Sequence, residues 1–272
     1  EIEASERDRA RRKPPESLDA WERFQRGLSH FYRTSKDDNE KAIRLFAEAV
    51  ELDPTFAAAH AYHSYASWWG VPMGFSDDPN SSLAVAREAA ERAAAIDPQE
   101  PLAHFSLGRL HIFAGEVEMA IREMQTAVSC NPNSARAHYG LGFACHYGAG
   151  QLDQALNHYD AALRLSPRDP QRWLTLTLKG EALRTDGRYD EAISHCQQAC
   201  QFPDCGFISY MHLAASLVGD GRDQEALTAI ERAKKINRDL SIEFLRKRFI
   251  SMHETLFQSL LDNLRKAGLP EA

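Results

Sequence analysis

An excess of positive charge is missing from this chain of 272 residues: 32 Lys and Arg stand against 39 Asp and Glu, for a net charge of −7. Counterion release on nucleic acid needs a cationic face, so the balance argues against general nucleic-acid binding. No apolar run approaches the ~18–20 residues that cross a bilayer, and no membrane contact is expected. Cysteine is scarce and odd in number, with five residues and no CxxC pair. A disulfide framework is therefore disfavoured, and a reduced, cytoplasmic setting is the simpler reading. GxxxxGK[ST], GxSxG, HExxH and Gly-rich phosphate loops are all absent. Without them no catalytic residue, metal or cofactor is expected, and the chain reads as non-enzymatic. The opening EIEASERDRARRKPPES is charged rather than signal-like. It begins without Met, which suggests a piece of a longer protein.

What is present is the composition of a folded chain, 43% hydrophobic and 26% charged, and an internal period. ELDP ends at Pro54, AIDP at Pro98, SCNP at Pro132 and RLSP at Pro167, with CQFP at Pro203 and KIN at Asn237 as variants. The intervals are 44, 34, 35, 36 and 34 residues. A period of about 34 residues resembles that of the tetratricopeptide repeat, a helix-turn-helix unit. The ten extra residues of the first interval fall in the Gly/Pro/Ser-rich WWGVPMGFSDDPNSS, read as a long turn at 70–82.

Within each unit, small residues (Gly108, Gly142, Gly180, Ala120, Ala155, Ala192, Ala226) let two helices approach closely, and Phe46, Met124, Tyr159 and Ile230 fill the gap beyond. Gly115, Gly150, Gly187 and Gly221 stand where first helices end and positive φ is needed. The fold class expected is all-α: a right-handed superhelical α-solenoid of six units. Residues 1–15 read as a charged helix or linker and 16–239 as the repeat array. Residues 240–272 read as capping helices that cover the end of the stack.

Two stretches invite a chemical reading. HCQQACQFPDC (195–205) holds three cysteines and a histidine, standard soft ligands for zinc. In register, however, Cys196 takes the slot of Phe46, Met124, Tyr159 and Ile230, Cys200 that of Val50, Val128 and Leu163, and Cys130 that of Leu52, Ile96, Leu165 and Ile236. These are core slots, and free Cys is a small buried hydrophobe. Cys205, in the turn after Pro203, lacks an apolar counterpart, so any thiol reactivity is expected there. His60, His104 and His138 recur in successive units, but equivalent positions lie at least one helix-packing distance apart, roughly 8–10 Å. They cannot share a zinc ion whose ligands all sit about 2 Å away, and packing at the helix contact is expected. The acids before second helices (Asp37, Asp38, Glu116, Asp153, Asp190, Glu191, Asp223) suit the positive helix end. The basic runs 7–13 and 246–248 read as solvated linker and cap faces.

The first helices of such units line a groove, and their inward residues are the candidate binding surface. The second unit offers Tyr62, Tyr65, Trp68 and Trp69, and the third Phe105, Arg109, Ile112 and Phe113. The fourth offers Arg136, Tyr139, Phe143, His146 and Tyr147. The fifth turns polar, with Thr177, Glu181 and Arg184, and the sixth supplies Met211, Ala215 and Val218. Aromatic residues and Arg are the usual interface anchors, so a protein or peptide partner is expected here. The competing reading packs these rings between neighbouring units or under the long turn. Tetratricopeptide repeats that hold acidic chaperone tails use Lys and Asn at these positions, a clamp not visible here.

The segment RKPPESLDAWERFQRGLSHFYRTSKDDNEKAIRLFAEAVELDPTFAAAHA (12–61), the long turn and the closing LRKAGLPE together carry a closer likeness. They resemble the C-terminal tetratricopeptide region of bacterial class III adenylate and guanylate cyclases, also found behind winged-helix activators. The resemblance implies a regulatory module attached to an N-terminal effector domain, with no catalytic residue of its own. Three functions compete: a scaffold that binds a peptide or helix in its groove, a homodimerisation module, and a small-molecule sensor built on the aromatic cluster.

Overall fold

The computed structural model describes residues 18–248 and 253–272, so the charged segment 1–15 and the basic run 7–13 lie outside the described residues. Regular structure among the described residues is entirely helical. Helices α1 (Leu18–Phe31) and α2 (Lys36–Leu52) form the first pair, α3 (Ala57–Trp69) and α4 (Pro79–Ile96) the second, and α5 (Pro101–Phe113) and α6 (Val117–Cys130) the third. The fourth is α7 (Ala135–Phe143), prolonged by a π-helical turn (Ala144–Gly148), with α8 (Leu152–Leu165). Then come α9 (Arg172–Thr185) with α10 (Tyr189–Ala199), and α11 (Phe207–Gly219) with α12 (Asp223–Ile236). Two further helices, α13 (Ile242–Arg248) and α14 (Glu254–Lys266), close the chain. The chain divides into two compact units, one formed by residues up to 111 with 118–140, the other by 112–117 with 141–272.

One slot explains why the helices of a pair pack so closely. A Cβ added to Gly108, Gly142 or Gly180 would lie 3.2, 3.2 and 3.0 Å from the carbonyl oxygens of Ala120, Ala155 and Ala192. In the second pair the same slot holds Ser64, whose hydroxyl donates to the Ala86 carbonyl at 2.6 Å. Above it, Phe46, Met124, Tyr159, Cys196 and Ile230 are all fully buried, so the thiol of Cys196 fills an aromatic or aliphatic slot, as its register predicts. The turns work as predicted at Gly115, Gly150, Gly187 and Gly221, whose φ values of 76°, 66°, 77° and 76° are strained for residues with a Cβ.

The long turn is shorter than its sequence signal. Asp78 caps α4 by accepting from the Ser81 N–H, and Pro79 takes the first helical turn, where its missing N–H costs nothing. Only 70–78 are left irregular, with Val71 and Met73 buried. The run 246–248 is the last turn of α13.

An end cap describes α13 and α14 incompletely. Helix α14 packs against α11, the first helix of the last pair. It also reaches back: the His253 N–H donates to the Tyr147 carbonyl at 2.7 Å, and Arg184 donates to the Ser259 hydroxyl at 3.3 Å. The tail then returns to α13, with the Ile242 and Glu243 N–H groups donating to the carbonyls of Pro270 and Glu271 at 2.9 Å each.

Candidate functional site

In the first unit, the inward residues of α3, α5 and α7 form an alternating stack of rings and guanidinium groups. Arg109 sits 4.1 Å over the Trp68 ring and 5.3 Å over Tyr139, and donates to the Tyr139 hydroxyl at 3.1 Å. Arg136 lies 5.2 Å over Tyr65 and 5.6 Å over Tyr62, and donates to the Tyr62 hydroxyl at 3.1 Å. Phe105 joins the two groups by an edge contact to Tyr65 at 5.1 Å and a tilted one to Tyr139 at 6.1 Å. Trp69 packs on Tyr65 and Trp68. Each desolvated cation over a ring contributes of the order of 2 kcal/mol. Burial raises the Tyr139 phenol pKa and the Arg109 charge opposes it.

This arrangement corrects the open aromatic groove. Tyr65, Trp69, Phe105, Arg109 and Tyr139 are buried among one another, and in the second unit His146 and Tyr147 are buried as well. The residues of the predicted surface that keep partial exposure are Tyr62 and Arg136 in the first unit, and Phe113, Phe143 and Val218 in the second. The physical reason is mutual satisfaction: each arginine finds its aromatic partner on another first helix of its own chain.

The second unit holds a polar cluster. Glu181 is fully buried and Arg184 is 4% exposed, and they pair through two bonds, Nε to Oε2 at 2.8 Å and NH2 to Oε1 at 2.7 Å. His212 Nδ1 lies 2.9 Å from Glu181 Oε2. Burial works against the Glu181 charge, but Arg184 and His212 outweigh it and hold the carboxyl far below the usual range. Beside this triad, Thr177 and Ser209 share a hydroxyl bond at 2.7 Å. His146, in the π-helical turn, is fully buried, and neither ring nitrogen has a hydrogen-bond partner among the described residues. Burial pushes its pKa down to about 4.

Glu181 and Arg184 stand among the inward residues read from the repeat, whereas His212 does not, although Tyr62 of the second pair fills the equivalent slot. It occupies the slot of Ser106, Gly140 and Leu178, which normally meets the neighbouring pair. The available signal was its distance of 31 residues from Glu181, about one repeat along an adjacent first helix.

The recurring histidines do more than pack. His60, His104 and His138 each donate Nε2–H to the carbonyl of the proline six residues earlier (Pro54, Pro98, Pro132), at 3.1, 3.0 and 3.0 Å. Each imidazole thus ties the turn between two pairs to the next first helix. His104 also donates Nδ1–H to Glu123 at 2.7 Å, and this bond raises its pKa. His138→Phe is expected to cost about 1 kcal/mol, the net worth of one such bond, read by urea unfolding; an unchanged midpoint would make the bond incidental.

The thiol stretch 195–205 holds no metal geometry: no group of three or more His, Cys, Asp or Glu among the described residues is placed to bind an ion. Cys205 is half-buried, its thiol 3.8 Å from the Cys200 carbonyl, and burial raises its pKa. A thiol held protonated is a poor nucleophile, so the expectation of reactivity there has no electrostatic support. No helix among the described residues is long and apolar enough to cross a membrane.

Comparison with known proteins follows the period. Residues 80–135 and 146–204 match the tetratricopeptide repeat family model. Among curated proteins, mouse Superkiller complex protein 3 is 26% identical over 171 residues, which cover 62% of this chain and 10% of that one. Anaphase-promoting complex subunit 3 of Schizosaccharomyces pombe is 25% identical over 202 residues, or 74% of this chain and 28% of that one. The chain therefore spans about a tenth to a quarter of the length of these relatives. Among solved structures, the Cut9–Hcn1 hetero-tetramer of the APC/C superposes with a TM-score of 0.63 at 19% identity, over 83% of this chain and 40% of that one. Pseudomonas aeruginosa PilF gives 0.54 at 17% identity over 84% and 96%. A repeat protein from Parabacteroides merdae gives 0.56 at 12% identity over 93% and 88%.

Proposed function

We propose that the chain, an all-α solenoid whose residues 80–135 and 146–204 match the tetratricopeptide repeat model, is a tetratricopeptide repeat protein and a non-enzymatic protein-interaction scaffold whose first unit binds a peptide or helix at Tyr62 and Arg136. The observation that carries the reading is the half-exposed edge of the ring-and-guanidinium stack. The buried rings below make this edge rigid, and Arg136 and Tyr62 present a cation and a hydroxyl-bearing ring at its rim. Rigid aromatic and Arg anchors bind at little entropic cost. By name, the curated relatives are members of multi-subunit complexes, which agrees with a scaffold role. Phe113 and Phe143 form a second, smaller candidate contact in the other unit.

We place this scaffold in the cytoplasm, as the regulatory region of a larger bacterial signalling protein with a cyclase or winged-helix effector domain. The cytoplasmic placement rests on cysteine usage, and the effector domain on the resemblance at 12–61, the long turn and LRKAGLPE. The interaction reading is tested by selecting helical and extended peptides from a displayed library on the purified chain. Selected peptides are expected to lose at least tenfold in affinity for Tyr62→Ala/Arg136→Ala while circular dichroism stays unchanged. Equal affinity would remove the face from the proposal. A concentration-independent dimer in light scattering would instead favour self-association as the role of this surface.

A further inference from the structure

The inner side of the second unit carries a feature that the scaffold reading of the first unit leaves unused. Its first helices, α9 and α11, present polar groups where a permanent core would be apolar: Thr177 bonded to Ser209, the Glu181–Arg184–His212 triad, and Ser216. Buried ion pairs gain little stability over well-packed apolar residues, and polar floors belong to interfaces that exchange rather than to obligate ones. Against it α14 packs on α11 and meets α9 at Arg184 through Ser259. Among the described residues it is held by the buried Leu260, Leu261 and Leu264 face, a backbone bond from His253 to Tyr147, a long bond from Arg184 to Ser259, and the bonds of its following tail to Ile242 and Glu243. The outer side chains of α14 pair with one another or with the adjoining tail: Gln258 with Asp262, and Arg265 with Asp262 and Glu271.

We propose that the inner face of the second unit is an exchangeable helix-binding site, occupied in cis by α14, which an amphipathic helix of a partner protein enters by displacing it. The occupant in place specifies the chemistry of the partner. It is a helix with the pattern Ser-Leu-Leu-x-x-Leu, whose leucines cover α11, whose hydroxyl accepts from Arg184, and whose N-terminal backbone N–H reaches the Tyr147 carbonyl. Helix-in-groove recognition reads i, i+3 and i+4 anchors, the spacings of Leu261 and Leu260 to Leu264. The cis helix lowers the apparent affinity of any competitor by the fraction of time the site stands open. This site is separate from Tyr62 and Arg136, so failure of either proposal leaves the other standing.

The test uses the full chain and a fluorescent peptide of residues 253–272 as probe, read by anisotropy. In Leu261→Asp/Leu264→Asp the internal helix is undocked, and the peptide is expected to bind that variant at least tenfold more tightly than it binds the wild type. A control peptide carrying the same two substitutions is expected not to bind. A folded variant that fails to take up the peptide, or binds it no better than the wild type does, overturns the proposal. Should the variant lose helicity beyond α14, hydrogen exchange on the wild type decides. Amides of 254–266 that exchange through a separate, faster opening than those of α9 and α11 support exchangeability, and exchange in step with them overturns it. A wild-type dimer dissolved by the same two substitutions would assign the site to α14 of a second copy and overturn the partner helix.

Discussion

Glu181→Ala is expected to cost about 3–5 kcal/mol of stability, the usual penalty for orphaning one half of a buried ion pair. The carboxylate is fully buried, accepts two bonds from Arg184 and lies in hydrogen-bond reach of His212. Its removal strands a guanidinium that is 4% exposed and keeps, among the described residues, a bond of 3.3 Å to Ser259. The cost therefore lies in the uncompensated cation more than in the lost attraction. Replacing both groups instead, as Glu181→Leu with Arg184→Met, should recover most of the loss, because an apolar pair of similar volume is often as stable as the ions it replaces. Urea unfolding of wild type, single and double variants separates the cases. A double variant as unstable as the single would show that packing, not charge, carries the effect.

The second large effect is a loss of stability in mild acid. His146 has its pKa lowered from 6.5 to about 4 by burial, with Glu181 raising it and His212 and Arg184 lowering it further. The unfolded chain therefore takes up a proton between about pH 6.5 and 4 that the folded chain refuses. Stability is complete above the unfolded value and is lost as pH falls through this window, by about 3 kcal/mol in all. His63 in α3, likewise lowered to about 4 by burial, adds to the slope, discounted for its partial exposure. His104 acts elsewhere: its raised pKa adds stability that is fully present below the unfolded value and lost as pH rises through the folded one. His146→Leu should flatten the dependence measured by urea unfolding between pH 7 and 4.5, leaving the shares of His63, His60 and His195, whose pKa values burial also lowers. An unchanged slope would mean that His146 reaches water in the folded state.

The repeat was legible because its physics is local and periodic. Small residues at Gly108, Gly142 and Gly180 meet a carbonyl at one fixed place, and Gly115, Gly150, Gly187 and Gly221 take positive φ at another. The composition of the inward face was legible too, down to its two arginines. Its exposure was not, because the pairings of Arg109 with Trp68 and of Arg136 with Tyr62 join different repeats, and sequence spacing sets no such register. The role of His60, His104 and His138 was within reach: a proline stands six residues before each, and an imidazole at the start of a helix can reach back to that carbonyl. The path of α14 had no repeat to anchor it, so only a cap was foreseeable, and its reach to Tyr147 and Arg184 came from the structure.

The most direct test of the scaffold is hydrogen exchange on the full chain with and without a selected peptide. The expected result is added protection in the first helices α3 and α7, around Tyr62 and Arg136, lost together with binding in Tyr62→Ala/Arg136→Ala. Protection confined to the second helices α4 and α6, with α3 and α7 unchanged, would contradict it.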